Sequence, residues 1–255
     1  MSELNAKQFE RECANPSTIE PLAIQARNHA AAAGANITGS ITGASAGIKN
    51  PTGRGEYKTD IVFGPDTVSV KKDGAVQLSS AEGKTSANMM SKVLESFSPA
   101  ERESLDEPRV RQLIESLEKM PVKTLARHNV KKAKKRKPNI SKPMLVGNTI
   151  RPEYDWDTYS ATTRPQIDKE IKDYLSEHRS FRHRFVEEAL TGRYTMGFNN
   201  PAAASHVLTP YYYKPIDDTY INKVANDPSF RVRIAAKSRD GITSATLRID
   251  FAVRE

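Results

Sequence analysis

Residues 58–83 read KTDIVFGPDTVSVKKDGAVQLSSAEG. Two short runs rich in apolar and β-branched residues, YKTDIVF (Tyr57–Phe63) and TVSVKK (Thr67–Lys72), flank Gly64-Pro65-Asp66. This pattern predicts two strands joined by a turn. Asp73-Gly74 then predicts a second hairpin turn into a strand over Ala75–Leu78. Side chains alternate faces along a strand, so Ser69 and Lys71 share one face while Val68 and Val70 share the other. A short hairpin brings Asp60 close to the Ser69/Lys71 face. Gln77 follows six residues after Lys71.

Upstream, Ser17-Thr18-Ile19-Glu20 has the spacing of a capping box, with Ser17 as N-cap. It precedes a helical run, PLAIQARNHAAAA, that Gly34 terminates. The glycine-rich stretch 34–55 permits a strand near 36–42 but contains neither GxxxxGK[ST] nor GxGxxG, so a phosphate-cradling loop is not expected. Downstream, residues 84–97 carry Met89, Met90, Val93, Leu94 and Phe97 at helical spacing. A charged helix opens at Pro99 and is interrupted at Pro108. In the last third, helical spacing over 165–190 places Ile167, Ile171, Leu175, Phe181, Phe185 and Leu190 in the core, and Thr191-Gly192 ends the helix. TPYYYKP (209–215) reads as extended. Phe230–Ala236 and Ile242–Val253 form a hairpin around Arg239-Asp240-Gly241. The expected regions are thus 1–98 (core), 99–150 (charged helix and basic linker) and 151–255 (helix and β-hairpin, with the option of sharing the core sheet). The fold class is α/β (α+β), a mixed sheet flanked by helices.

Carboxylate, hydroxyl and lysine on neighbouring strands suit metal-dependent phosphodiester cleavage. The carboxylate holds a cation that acidifies a bound water, and the lysine stabilises developing charge. Residues 58–83 resemble the core of the PD-(D/E)XK, or restriction-endonuclease-like, superfamily, over roughly residues 17–98. That resemblance implies a nuclease-like fold and Mg²⁺ (or Mn²⁺)-dependent endonuclease chemistry. Asp60 matches the first acidic position, with Thr59 where proline is common, and Lys71 matches the lysine. Ser69 stands where Asp or Glu is usual, which removes one metal-binding carboxylate. Glu20 matches a helix glutamate that completes the metal shell, and Gln77 a downstream polar residue that positions the water. Each residue also has a bland role. Glu20 is the capping partner of Ser17, Asp60 a strand-end residue, and Lys71-Lys72 a charged edge that resists strand-to-strand aggregation. Ser69-Val70-Lys71-Lys72, Gln77-Leu78-Ser79 and Glu188-Ala189-Leu190-Thr191-Gly192 also resemble segments of uncharacterised proteins of large tailed phages. That implies a second role, a virion structural protein of neck, tail or capsid that keeps the fold without activity.

The whole chain has 255 residues and a net charge of +8. Residues 119–151 hold eleven basic and no acidic residues, so the remainder is net acidic. The densest part, KKAKKRK, carries Lys131, Lys132, Lys134, Lys135, Arg136 and Lys137. Such a run releases counterions on contact with phosphates, which makes DNA the expected partner; a solvated linker or targeting tag is the alternative. No aromatic residue interleaves it, which argues against base stacking there. The single cysteine, Cys13, excludes an internal disulfide framework. The histidines lack zinc-ligand spacing. No apolar run is long enough for a membrane span, and the start of the chain does not read as a secretory signal. The expected locations are therefore the host cytoplasm or a phage particle. The expected partners are DNA and other virion proteins, with the chain as an oligomer or assembly member and no membrane.

Overall fold

A computed structural model describes residues 5–49, 58–72, 74–121, 124–125, 156–239 and 242–253. The chain forms two compact units, each drawn from segments distant in sequence. The first comprises Met1–Leu78, His183–Phe230 and Asp250–Glu255; the second comprises Ser79–Arg182 and Arg231–Ile249.

The first unit is built on a mixed sheet in the order β1 (Ile41–Thr42), β2 (Ile61–Phe63), β3 (Asp66–Val70), β6 (His206–Leu208) and β7 (Tyr213–Pro215). β1, β2 and β3 are successive antiparallel neighbours, β6 runs parallel to β3, and β7 returns antiparallel to β6. Ile61 pairs with Val68 across the expected hairpin. The last third of the chain therefore supplies two strands of this sheet.

Strand alternation sends Ile61, Phe63, Val68 and Val70 to one face, where they pack with Phe9, Cys13, Ala23, Ala26 and Ala30. These come from α1 (Ala6–Ala14) and α2 (Pro21–Ala32). Ala23, Ala26 and Ala30 at the buried apolar contacts of α2 let the helix lie close to the sheet. Arg27 is buried among them, and its guanidinium donates to Cys13 O, Ser40 Oγ and Ile37 O. Those acceptors cover most of its donors, which is what a buried arginine requires. Burial pushes the Cys13 thiol up to about 12. On the other face Val62 meets Ile48, Met196, Ala202 and Ala203.

The expected capping box at Ser17 does not form. Ser17 N–H bonds to the Asn15 side chain, and α2 begins after Glu20 with Pro21 in its first turn. A proline suits the first helical position, where its missing N–H costs nothing; three residues further in it would break the ladder. A capping box forms instead at Asn5–Gln8, heading α1, a helix the reading above does not include.

The second unit packs α3 (Gly83–Glu95) against α5 (Glu107–Glu118). A Cβ at Gly83 would sit 2.6 Å from the Leu117 carbonyl oxygen, so the close approach needs glycine there. Between them lie α4 (Pro99–Arg102), headed by a Ser98–Glu101 capping box, and a 3₁₀ turn. Asp106, at φ 47°, precedes α5, whose first turn holds Pro108. This is the interruption expected from the proline. Met89, Met90, Val93, Leu94 and Phe97 are all buried, as the helical spacing predicts.

α6 (Trp156–Ala161) and α7 (Thr163–Glu177) follow, and α8 (Arg179–Thr191) leads back into the first unit. The single helix expected over 165–190 is therefore two, parted at His178, where neither Gly nor Pro marks the break. All six apolar positions named for it are buried. Gly192, at φ +70°, ends α8 and opens the short α9 (Arg193–Met196).

The second sheet holds β4 (Gly74–Glu82), β9 (Ile242–Val253) and β5 (Thr124–Leu125) in that order, with β8 (Arg231–Arg239) also on β9. β8 and β9 form the pair expected at the end of the chain; their turn at 240–241 lies outside the described residues. Asp73 of the expected Asp73–Gly74 turn lies outside the described residues; β4, which follows it, pairs with β9. β9 is buried on both faces from Thr243 to Leu247, so it is the central strand a long partner can join. One further helix, α10 (Asp218–Asn226), is capped by Asp217.

Candidate active site

The hairpin turn Gly64–Pro65 sets β2 and β3 in a register that places Asp60 opposite Ser69. Asp60 N–H bonds to Val68 O, fixing the backbone just before β2. Its side chain then meets the ends of β3. Oδ2 accepts the Val70 N–H at 2.7 Å and the Ser69 hydroxyl at 3.3 Å. The Lys71 ammonium stands 3.8 Å from the same oxygen. The shared face expected for Ser69 and Lys71 is therefore present: Val68 and Val70 point into the α1/α2 core, while Ser69 and Lys71 point with Asp60 to the opposite face. Lys71 is itself anchored, its backbone N–H bonding to Leu208 O on β6.

Asp60 and Lys71 are mostly but not wholly covered, their side chains being 21% and 16% exposed. Desolvation pushes the Asp60 carboxyl above its ordinary range, against the pull of Lys71, the Val70 N–H, the Ser69 hydroxyl and Lys58. Among the described residues no hydrogen bond reaches Oδ1, so one carboxylate oxygen is left for a ligand.

Two further ionisable residues belong to this face. Lys58 donates from Nζ to Leu78 O at 2.9 Å and to Ala189 O at 2.8 Å, tying the start of β2 to β4 and to the end of α8. Its charge acts on both Asp60 and Glu188. Glu188 is 3% exposed, and desolvation raises its carboxyl above the ordinary range. The Tyr194 N–H and Lys58 oppose that rise. A Cβ on Gly192 would lie 3.0 Å from Lys58 Cγ, so glycine there makes room for the lysine stem as well as the left-handed turn.

Of the other candidates, Glu20 lies apart. Glu20 precedes α2, a helix that covers the sheet face opposite Asp60, Ser69 and Lys71. Alternation along β2 and β3 thus sets Glu20 on the wrong side; the acid available on the Asp60 side is Glu188. Gln77 is exposed between buried Val76 and Leu78 on β4, a strand of the second sheet. Lys131, Lys132, Lys134, Lys135, Arg136 and Lys137 lie outside the described residues.

Asp60, Ser69, Lys71 and Lys58 gather on one sheet face, with Glu188 of α8 coupled to them through the charge of Lys58; raised carboxyls beside lysines are of the kind found at reactive sites. Among the described residues no group of three or more His, Cys, Asp or Glu could together hold a metal. Mg²⁺, however, takes one or two carboxylates and fills the rest of its shell with water and substrate phosphate. Asp60, with Oδ1 open, fits that donor set. Lys58 and Glu188 were not identifiable from local pattern alone, since a lysine before a strand and a Glu-Glu pair in a helix are ordinary. The available signal was FVEEALTG, a charged pair within an otherwise apolar helix end that is buried throughout. Comparison of the chain with protein-family models, curated proteins and solved structures finds no match.

Proposed function

We propose that this chain is a DNA-acting protein of the tailed-phage kind whose nuclease-like first unit hydrolyses phosphodiester bonds with a divalent metal. The observation that carries the reading is the convergence of Asp60, Ser69 and Lys71, with the lysine 3.8 Å from the carboxylate. The mixed sheet flanked by helices supports it, as does the phosphate-seeking basic run of residues 131–137.

Asp60 would hold a Mg²⁺ or Mn²⁺ ion, which would supply Lewis-acid polarisation and a more acidic bound water. The protein's own groups do the rest. Lys71 offers its ammonium to charge building on the phosphate oxygens. Ser69 and the Val70 N–H hold the carboxylate so that its second oxygen faces outward. Lys58 fixes the strand that carries Asp60, and its charge favours the ionised form. Because the Asp60 carboxyl is shifted upward, cleavage rises with pH as it ionises.

A second reading rests on Ser69. A hydroxyl in place of a second carboxylate leaves a thinner metal site, and Oδ2 already takes two hydrogen bonds and faces an ammonium. Such a self-satisfied cluster also suits a virion structural protein that keeps the fold and binds packaged DNA without cutting it.

Plasmid cleavage at low salt with Mg²⁺ or Mn²⁺ separates the two. The catalytic reading expects the wild type to cut, and Asp60→Ala and Lys71→Ala to bind DNA without cutting. Binding without cleavage by all three proteins favours the structural role.

A further inference from the structure

The turn after β6 and the first residue of β7 carry three consecutive tyrosines, Tyr211–Tyr213, that the site above does not use. That turn begins one residue beyond Leu208, whose carbonyl receives the Lys71 N–H, so it lies at the Lys71 end of the first sheet. The turn is firmly held. Tyr211 N–H and Tyr212 N–H both donate to the buried Thr209 hydroxyl, at 3.1 and 3.0 Å, and Thr209 N–H bonds to Tyr212 O at 2.9 Å. The Tyr212 hydroxyl shares a hydrogen bond with Tyr220 at 3.1 Å. Two lysines from different elements converge on the Tyr212 ring. Lys214 Nζ of β7 lies 5.4 Å from its centroid, and Lys223 Nζ of α10 lies 5.8 Å away. Both lysines are exposed, and among the described residues neither forms an ion pair. Tyr211 and Tyr212 are only half-buried.

A rigid turn with partly open aromatic rings and uncommitted cations has the makeup of a platform for unpaired nucleic acid. Bases stack on the rings while the ammonium groups swing to the phosphates. A well-paired duplex keeps its base faces stacked inside and offers the rings nothing.

We propose that Tyr211, Tyr212, Lys214 and Lys223 bind a single-stranded stretch of DNA beside Asp60 and Lys71, so that the substrate is DNA with an unpaired segment. This rests on the hydrolytic reading for its meaning but not for its test. Binding is measured by fluorescence anisotropy in EDTA, where nothing is cut, on the full chain with a labelled oligo-dT of about 12 nucleotides and a duplex of the same length.

Tyr211→Ala and Tyr212→Leu are expected to weaken single-strand binding about tenfold, the order of one lost stack. Duplex binding should change less than about twofold. Tyr212→Phe, which keeps the ring and loses only the Tyr220 hydrogen bond, should bind like the wild type and so controls for folding. Lys214→Ala with Lys223→Ala should lower the slope of log affinity against log salt by about 1.4 on the single strand. Equal losses on single strand and duplex, or no loss in either tyrosine variant, overturn the proposal. So does sedimentation showing that the variants lose self-association while DNA binding is intact, since the tyrosines then face a protein. A platform effect in a chain that never cuts with Mg²⁺ or Mn²⁺ upholds this surface and defeats the hydrolytic reading instead.

Discussion

Each of the two units holds a carboxyl that burial pushes above its ordinary range, but the surroundings differ. In the second unit Asp168 accepts the Ile234 N–H at 2.5 Å, and the cations that act on it, Lys172, Arg164 and Arg233, do so through charge alone. It ties a strand to a helix. In the first unit Asp60 has a hydroxyl bonded to it, an ammonium 3.8 Å away and an open oxygen; Lys58 also acts on a second buried acid, Glu188. A raised carboxyl by itself therefore marks burial. What marks a candidate reactive site is the convergence of acid, hydroxyl and lysine from separate strands on a partly open face.

The contrast can be broken where it is strongest. Lys58→Met strips the donor from Leu78 O and Ala189 O and leaves Asp60 and Glu188 without their shared cation. Removing one partner of a buried charged network costs about 3–5 kcal/mol, so thermal or urea unfolding should show a loss of that order. A loss under 1 kcal/mol would mean Lys58 is incidental. In the second unit the sensitive position is steric. Gly83→Ala places a methyl 2.6 Å from the Leu117 carbonyl oxygen and should cost about 1–3 kcal/mol as α3 and α5 part.

The pH dependence sharpens the comparison further. Asp60 is raised in the folded protein above its ordinary value near 3.8. The native state thus holds the proton more tightly than the unfolded chain, and this group's contribution to stability falls as pH rises through the window between the two values. Asp60→Asn removes that falling term, so the variant's stability relative to the wild type should increase as pH rises above about 4. An unchanged slope would place the titration elsewhere. The smallest effect belongs to the surface of the second unit. Arg109 pairs with Glu170 and Glu177, whose side chains are 43% and 54% exposed. Arg109→Ala should therefore cost less than about 1 kcal/mol and shrink further in high salt.

Much of the first unit was legible because its signals are local. The β2–β3 hairpin, the shared face of Ser69 and Lys71 and the glycine ends of α2 and α8 follow from alternation and turn chemistry, as the buried stripe on α3 in the second unit follows from helical spacing. What escaped depends on partners far along the chain. β4, after Asp73-Gly74, found β9, and β6 joined β3 from residue 206 onward. Glu20 looked apt by order alone; its helix covers the opposite face, and the acid on the correct face, Glu188, comes from a helix more than a hundred residues later. Asn5–Gln8 carried a capping box as readable as Ser17–Glu20 and heads α1, while Pro21 moved the start of α2 from Ser17 to just after Glu20.

Single-turnover cleavage with Mn²⁺ of a DNA duplex carrying a single-stranded segment, run beside thermal unfolding on the same preparations of wild type and Asp60→Asn, tests most directly whether the first-unit cluster reacts or merely holds the fold. Asparagine keeps the shape and can still accept the Val70 N–H. The account predicts a fall in rate of about 10³-fold, the scale of losing a main electrostatic group, with the folded state at least as stable at neutral pH. Cleavage at an undiminished rate by Asp60→Asn, or no cleavage by either protein while only stability differs, would contradict it.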